Sequence, residues 1–493
     1  MTEHKSTTSR RDFLKSSIVG ISALSILPST VIAGLGHPAP SDKLNIAVIG
    51  VGGVGFRNLS NLLQENIVAL CDVDWNYGQK ALRRWSMAKR YTDFRIMLEK
   101  ENEIDAVVIA TPDHSHSVAA MAAMQLQKHV YVQAPMAHAV FEARRMTETA
   151  RVYGVVSQVG NQSASGNENR DIAEIIWSGA IGEINEVHAW TDEPKWKQGD
   201  FYPTDEMRVP KDLDWELFIG PASKIPYHST YTPFGWRAWW NFGNGALASM
   251  GPHLLETVFR ALKLNAPVKV EASSTSVNLQ SAPKAQKIIF GFSKRNNLPN
   301  LAMPPVNLYW YDGGLKPELP DNIELNSLKN YAEGGVIFRG SKGVLICGPE
   351  GRDYTVVING LPVNMNVEKQ LHRIENPYDG GHEHDWVRAC KESANNRLMP
   401  SACFDTQIAL SETLLVGAMA VRMQSLGKKL EWDSAQTRFV NINNYEEFEI
   451  SHTGDLYIQN GIPKFDSEKT KYNASHFVDQ TVRPLYRSGW NQI

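Results

Sequence analysis

The sequence predicts an α/β protein with an N-terminal doubly wound parallel sheet and a C-terminal region built on a large, mostly antiparallel open sheet. Three observations lead there. From Leu44 to about Gly160, short apolar runs alternate with helical patterns, as βαβ units do. The first run, 44–49, passes directly into Gly50-Val51-Gly52-Gly53-Val54-Gly55, and the second, 67–71, ends in Asp72. Beyond residue 160 the texture turns to strand-like alternation, which leaves one sheet face available for self-association.

The glycines stand where a dinucleotide would need them. Gly50 permits the strand-to-helix turn, Gly52 lets the backbone approach a pyrophosphate, and Gly55 lets the helix pack closely on the strand. Gly53 and Val54 open the helix, whose N-terminal amides and positive dipole end suit phosphate. Asp72, 22 positions after Gly50, is near the spacing of about 20 expected of a carboxylate that accepts both adenosine ribose hydroxyls. That carboxylate would repel a 2′-phosphate, so NAD is expected rather than NADP. A tight turn alone would explain the glycines but not the strand, helix and acid around them.

In chain order, 57–65 is expected as the first helix, 67–71 as the second strand and 78–89 as another helix. A third strand is short or missing before a helix at 94–100. The run 104–110 is a clear strand that ends in Thr111-Pro112-Asp113-His114-Ser115-His116, and helix 117–127 follows. Strand 129–132 leads to Gln133-Ala134-Pro135-Met136, helix 142–153 and a last strand at 155–159. Residues 161–169 read as a loop and 172–178 as a short helix. Strand candidates begin at 186–191 and resume after an aromatic, proline-rich connection over 194–242. They lie at 268–278, 287–292, 306–310, 335–339, 343–347 and 355–358, with helical spacing at 254–262 and 403–426. The polar stretch from 439 lacks clear periodicity and is expected to wrap the surface. The resulting division is 44–160 for nucleotide binding, 161–435 as a mostly β region open to self-association, to which the resemblance given below assigns the substrate, and 436–493 as a tail.

At 493 residues, 42% apolar and 21% charged, the chain has room for two or three cored domains and an ordinary soluble composition. A net charge of −3 offers no basic surface for nucleic acid. Four scattered cysteines suit neither a disulfide framework nor a zinc knuckle, and Cys71 reads as an inert core thiol. Residues 1–33 read as an export signal, with Ser9-Arg10-Arg11-Asp12-Phe13-Leu14-Lys15, an apolar run over 16–27 and a small-residue site at Val31-Ile32-Ala33. The paired arginines imply the twin-arginine translocase as a partner and a periplasmic or otherwise exported destination. The apolar run is too short for a comfortable membrane span, and no other candidate span is seen. Residues 34–43 read as a linker. Free NAD is scarce outside the cytoplasm, so an exported protein needs a tightly held cofactor and a reaction that returns it to its starting state.

AVIGVGGVG at 47–55, ALCDVD at 69–74, VVIATPDHSH at 107–116, VYVQAPM at 130–136, WWNFGNGALASMGPHLLE at 239–256 and HEHDWVRAC at 382–390 together resemble the Gfo/Idh/MocA oxidoreductases. The likeness runs from about Leu44 to Trp432, and the closing Pro484-Leu485-Tyr486-Arg487-Ser488-Gly489-Trp490 resembles the tail of the family's exported bacterial branch. It implies an NAD(P)-binding Rossmann domain, a C-terminal α/β domain on a large open sheet, homo-oligomers built on that sheet, and hydride exchange at a carbinol carbon of a sugar or polyol. It also implies a lysine from a Glu-Lys-Pro turn beside the nicotinamide, with an aspartate four residues before a histidine. Carried onto this chain the turn is Gln133-Ala134-Pro135 and the pair is Ser249 and His253, so only His253 keeps the family's residue. His253 can serve as the base alone, whereas Ala134 cannot hold a hydroxyl and Ser249 can only hydrogen-bond. Slow, altered or absent turnover is the expectation. Beside the oxidoreductase stand a redox-neutral, NAD-dependent glycosidase and a non-catalytic carbohydrate- or cofactor-binding relative.

The same resemblance sets Thr111, Pro112, His114, His116 and Gln133 beside the cofactor. His114 and His116 lack a third ligand at suitable spacing, and on a helix His384 would point away from His382 and Asp385, so no metal site is expected. Trp236 and Arg237, with Trp239 and Trp240, are either core or the wall of a sugar site. Asn161, with Gln162, is a candidate contact to substrate or to the nicotinamide amide. Glu256 either pairs with His253 or faces solvent.

Overall fold

The computed structural model describes residues 42–296, 301–320 and 333–490; the expected export signal and nearly all of the linker lie outside the described residues. Six strands form the first sheet: β1 (Asn45–Ile49), β2 (Asn66–Cys71), β3 (Lys89–Tyr91), β4 (Ala106–Ile109), β5 (His129–Gln133) and β6 (Ser157–Gly160). All are parallel, in the order β3-β2-β1-β4-β5-β6. Successive side chains alternate between faces. Ile46, Val48, Val108 and Tyr131 enter one core, while Ala47, Ile49, Val107 and Val132 enter the other. Two apolar faces explain the continuous hydrophobic runs in the sequence, and they demand helices on both sides. The helices threaded between these strands are α1 (Gly53–Asn61), α2 (Gln79–Arg84), α3 (Phe94–Lys100), α4 (His116–Gln125) and α5 (Val140–Tyr153).

Ten strands form the second sheet: β7 (Ile184–Thr191), β8 (Lys269–Ser274), β9 (Gln286–Phe292), β10 (Val306–Asp312), β11 (Gly334–Gly340), β12 (Val344–Cys347), β13 (Thr355–Ile358), β14 (Leu361–Val363), β15 (Leu430–Asp433) and β16 (Arg438–Phe439). Their order is β14-β13-β12-β11-β7-β10-β9-β8-β15-β16, antiparallel except for the β7–β10 pair. The accompanying helices are α6 (Asn167–Trp177), α7 (Trp215–Ile219), α8 (Gly245–Leu262), α9 (His382–Lys391) and α10 (Phe404–Arg422). Ile172, Leu254, Val258, Leu414 and Val421 from α6, α8 and α10 pack on Val187, Phe290, Trp310 and Phe338 of one sheet face. The other face carries Trp190, Tyr311, Ile337 and Ile346.

The two regions share their cores. Trp386, Val387 and Cys390 of α9 cover the first sheet beside Tyr131, and Phe404 at the start of α10 enters its opposite core.

Three local expectations need correction. The helix expected at 254–262 begins at Gly245, because tertiary packing overrides Pro252 and Gly251 inside it. A Cβ on Gly251 would lie 2.3 Å from Leu414 Cδ2, so the glycine is the site of closest approach to α10. Residues 161–169 hold a short 3-10 turn, Gln162–Ser165, and the start of α6. The stretch from 439 is not irregular: β17 (Glu447–Gln459) and β18 (Ile462–Asn473) form a hairpin, and α11 (Ala474–Val482) follows. Asn460 and Gly461 both have positive φ at its turn, a hairpin signal that polar composition masked.

Candidate cofactor and active site

A cavity of about 200 Å³ opens at the C-terminal ends of β1, β2, β4 and β5, where the strand order reverses. Its wall includes Gly50, Gly52, Gly53, Val54, Asp72, Thr111, Pro112, Gln133, Ala134, Trp236 and Arg237 from the sequence-derived candidates. Gly50 has φ +81°, and a Cβ there would lie 2.6 Å from the Ala110 carbonyl oxygen. On Gly52 a Cβ would lie 2.1 Å from the Tyr77 ring. Gly55 works from beneath the wall: a Cβ would lie 1.9 Å from Gly50 O, so only glycine allows α1 to sit this close to the turn. Asp72 accepts hydrogen bonds from the amides of Val51 at 2.7 Å and Asp74 at 2.8 Å. Burial pushes its pKa up to about 6 against these amides, so the carboxyl is mostly ionised at pH 7. A glycine cradle, a helix N-terminus and an anionic ribose acceptor fit a dinucleotide.

At the far end of the cavity, Ala134 stands in a half-buried turn and Arg237 stacks on Phe234 and Trp236, at 4.0 and 4.2 Å. The aromatic stretch divides by role. Trp236 and Arg237 are wall; Trp239 packs at 5.3 Å on Tyr202, and Trp240 lies 4.5 Å below Arg422.

Several candidates lie elsewhere. His114 lies outside the cavity lining: it is buried, with its ring nitrogens at 2.9 Å from the Phe218 carbonyl and 3.3 Å from that of Phe242. His116 likewise bridges the carbonyls of Thr111 (2.8 Å) and Pro135 (2.9 Å), so it ties two cavity turns together from behind. Burial holds both histidines down at about 4, hence neutral. Asn161 is fully buried away from the cavity lining, its amide donating to Gln407 at 3.0 Å and Glu256 at 3.3 Å. Glu256 does neither thing expected of it; it is buried and pairs with Arg260 at 2.9 Å.

His253 and Ser249 lie one turn apart on α8, both half-buried and outside the cavity wall. His253 Nδ1 is buried without a hydrogen-bond partner among the described residues, and its nearest charge is Glu350 Oε1 at 3.7 Å. Burial lowers its pKa while Glu350 opposes the shift, so the ring is neutral at pH 7. Gln133 donates to Asn58 at 2.8 Å, and Asn58 donates to Glu383 at 2.7 Å. The 382–385 cluster is taken up in similar contacts: His382 meets Ser165 at 2.7 Å, and His384 meets the Asn61 carbonyl at 2.9 Å. Among the described residues no three His, Cys, Asp or Glu side chains converge as a metal site.

Sequence reasoning missed Tyr77, Phe94, Trp490 and Asp113. The first three line the cavity, Tyr77 and Phe94 from outside the quoted motifs and Trp490 from the closing 484–490 stretch, for which no site role was expected. Asp113 is fully buried, and neither carboxyl oxygen has a hydrogen-bond partner among the described residues. Burial pushes its pKa up to about 8, with Arg237 opposing, so it carries a proton at neutral pH.

Residues 44–161 match the model of the oxidoreductase family, NAD-binding Rossmann fold, and 168–297 that of the oxidoreductase family, C-terminal alpha/beta domain. The inositol 2-dehydrogenase of Salmonella typhimurium is 27% identical over 151 residues, 29% of this chain and 45% of that protein. A glycosyl hydrolase family 109 protein of Shewanella amazonensis is 27% identical over 220 residues, 38% of this chain and 47% of that protein. The chain thus spans about half the length of the curated relatives it matches. Among solved structures, an inositol dehydrogenase homolog of Azotobacter vinelandii, complexed with NADH and myo-inositol, superposes with a TM-score of 0.55. It is 17% identical, over 79% of this chain and 98% of that one, so this likeness is one of fold. With the glycine cradle, the two sheets and both domain models in agreement, the chain belongs to the Gfo/Idh/MocA oxidoreductase family.

Proposed function

We propose that the protein binds NAD and acts as an oxidoreductase on a sugar or polyol carbinol, with a catalytic set reduced to His253. The observation that carries the proposal is one cavity in which the glycine cradle and Asp72 lead to Gln133, Ala134, Trp236 and Arg237. When bound, NAD supplies the hydride acceptor. The amides of Gly53 and Val54 would hold its phosphates, and Asp72 would accept the ribose hydroxyls and disfavour NADP. Trp236 and Arg237 offer a flat ring and a fixed fork of donors to a polyhydroxylated substrate. Ala134 supplies only a methyl group, so no lysine ammonium stands at the turn to assist departure of the hydroxyl proton, and Arg237 is the cation that the cavity wall offers. His253, neutral at pH 7, is the remaining base of the set, but it stands on α8 behind the cavity wall, so proton transfer to it would require that wall to open toward α8; with Nδ1 unpartnered among the described residues, its tautomer is not fixed there and turnover is slow.

A binding-only reading is favoured by the same unpartnered nitrogen and by Ala134. A redox-neutral glycosidase draws support from the Shewanella relative and from the expected export. One experiment separates all three. Nucleotide is released from the folded protein and identified, and the protein is then incubated with polyols, sugars and aryl glycosides while NADH and free sugar are followed. Bound NAD with NADH formation supports the oxidoreductase; free sugar without net NADH supports the glycosidase. Bound NAD without turnover, even after Ala134→Lys with Ser249→Asp, supports binding alone. Absence of nucleotide binding defeats the proposal. Export through the twin-arginine translocase and homo-oligomers on the open face of the ten-stranded sheet belong to the same proposal. A processed periplasmic form and a multiple of the chain mass by light scattering are the results that support them.

A further inference from the structure

We infer that the segment 486–490 completes the cofactor site, with Trp490 the wall against which the adenine base packs; this rests on the NAD reading above. The end of the cavity at β2 and β3 is lined by Asp72, Thr92, Phe94 and Trp490. Asp72 is the ribose acceptor, so this end takes the adenosine. Trp490 is buried, its ring 6.1 Å from that of Phe94. Arg95 lies over the same indole at 4.4 Å and donates to the Gly489 carbonyl at 3.2 Å. Asp93 in turn holds the Arg95 guanidinium, at 2.6 Å.

The rest of the segment is anchored on other elements. Arg487 pairs with Glu216 of α7 at 2.7 Å, and the Tyr486 hydroxyl donates to Glu142 of α5. Polar segments outside a core usually fray unless tied down. This one is held at three places, and its aromatic residue lines the cavity beside Phe94. A flat ring on an anchored backbone offers a broad contact at little entropic cost, and a base is the flat group a dinucleotide brings to this end. NAD leaving by the adenosine end would have to displace a wall that the nucleotide-binding domain does not itself own. Slow release follows, as a hydride acceptor regenerated in each cycle requires.

The test uses the full chain stripped of nucleotide, with NAD and AMP titrated by calorimetry and NAD release followed after rapid dilution. Trp490→Ala is expected to weaken both ligands by about tenfold to a hundredfold, with most of the loss in a faster off-rate. Trp490→Phe, which keeps a flat ring, is expected to stay close to wild type. Melting of the nucleotide-free variants monitors the fold. Unchanged affinity in Trp490→Ala, while wild type binds NAD, overturns this inference alone. A Trp490→Phe variant as weak as Trp490→Ala, with an equally lowered melting temperature, also overturns it in favour of a structural role. Wild-type protein that binds neither NAD nor AMP overturns the cofactor reading and this inference together.

Discussion

Arg237 and the Asn244 backbone oppose the rise of the Asp113 carboxyl's pKa, but burial outweighs both. The folded pKa of about 8 lies above the ordinary carboxyl value, so the folded state binds a proton that the unfolded chain has released between about pH 4 and 8. The stability tied to this group is therefore present at low pH and lost as pH rises through that window. Asp113→Asn is expected to raise the melting temperature, and by more at pH 8 than at pH 5; an equal gain at both would rule out the buried acid. Asp72 makes the opposite kind of contribution, to a ligand. Asp72→Asn is expected to weaken NAD by about 10-fold and to narrow the preference over NADP, measured by calorimetry. Ala134→Lys with Ser249→Asp is expected to raise the rate of NADH formation by about 100-fold, within the usual range for proton-transfer catalysis. Asp72 and the glycines were legible because their job depends on local spacing. Asp113, Tyr77 and Trp490 were not, because each becomes a site residue only through what distant chain segments bury or expose.

At the scale of elements, α1 and α8 differ in how openly the sequence declares them. The start of α1 follows from the glycine turn. Its tightest point is Gly55, where an added Cβ meets backbone rather than a mobile side chain. Gly55→Ala is expected to cost about 1–3 kcal/mol by denaturant unfolding and to weaken NAD, since the turn must move. In α8 the signals conflict: Gly245, Gly251 and Pro252 argue against a helix, while the packing of Leu254, Leu255 and Val258 demands one. The periodicity becomes readable only from Leu254, one residue after His253, so the helical setting of the Ser249–His253 pair was hidden. Seven of the second sheet's ten strands were legible from their alternation, whereas β14, β15 and β16, two to four residues long, are too short to show it. The β17–β18 hairpin was missed because most of its residues are polar, although Asn460-Gly461 marks its turn.

For the whole molecule, domain division read along the chain understates how the halves depend on one another. α10 enters the first region's core through Phe404 and the second region's core through Leu414 and Val421. Arg144 of α5 reaches Glu412 of α10 at 2.7 Å, and Lys391 of α9 reaches Glu65 at 2.6 Å. Residues 44–160 produced alone are therefore expected to melt well below the full chain and to bind NAD more weakly, by thermal melts and calorimetry on both. Equal stability would show that the shared cores contribute little. The cover that α9 gives to Tyr131 and its neighbours also sets a timetable for synthesis. The first sheet is complete near residue 160, but α9 is made more than 220 residues later. At translation speeds of about 5–20 residues per second, the part of that face not covered by α1 and α2 waits about 10–45 s for α9, an interval in which exposed apolar surface is prone to aggregate.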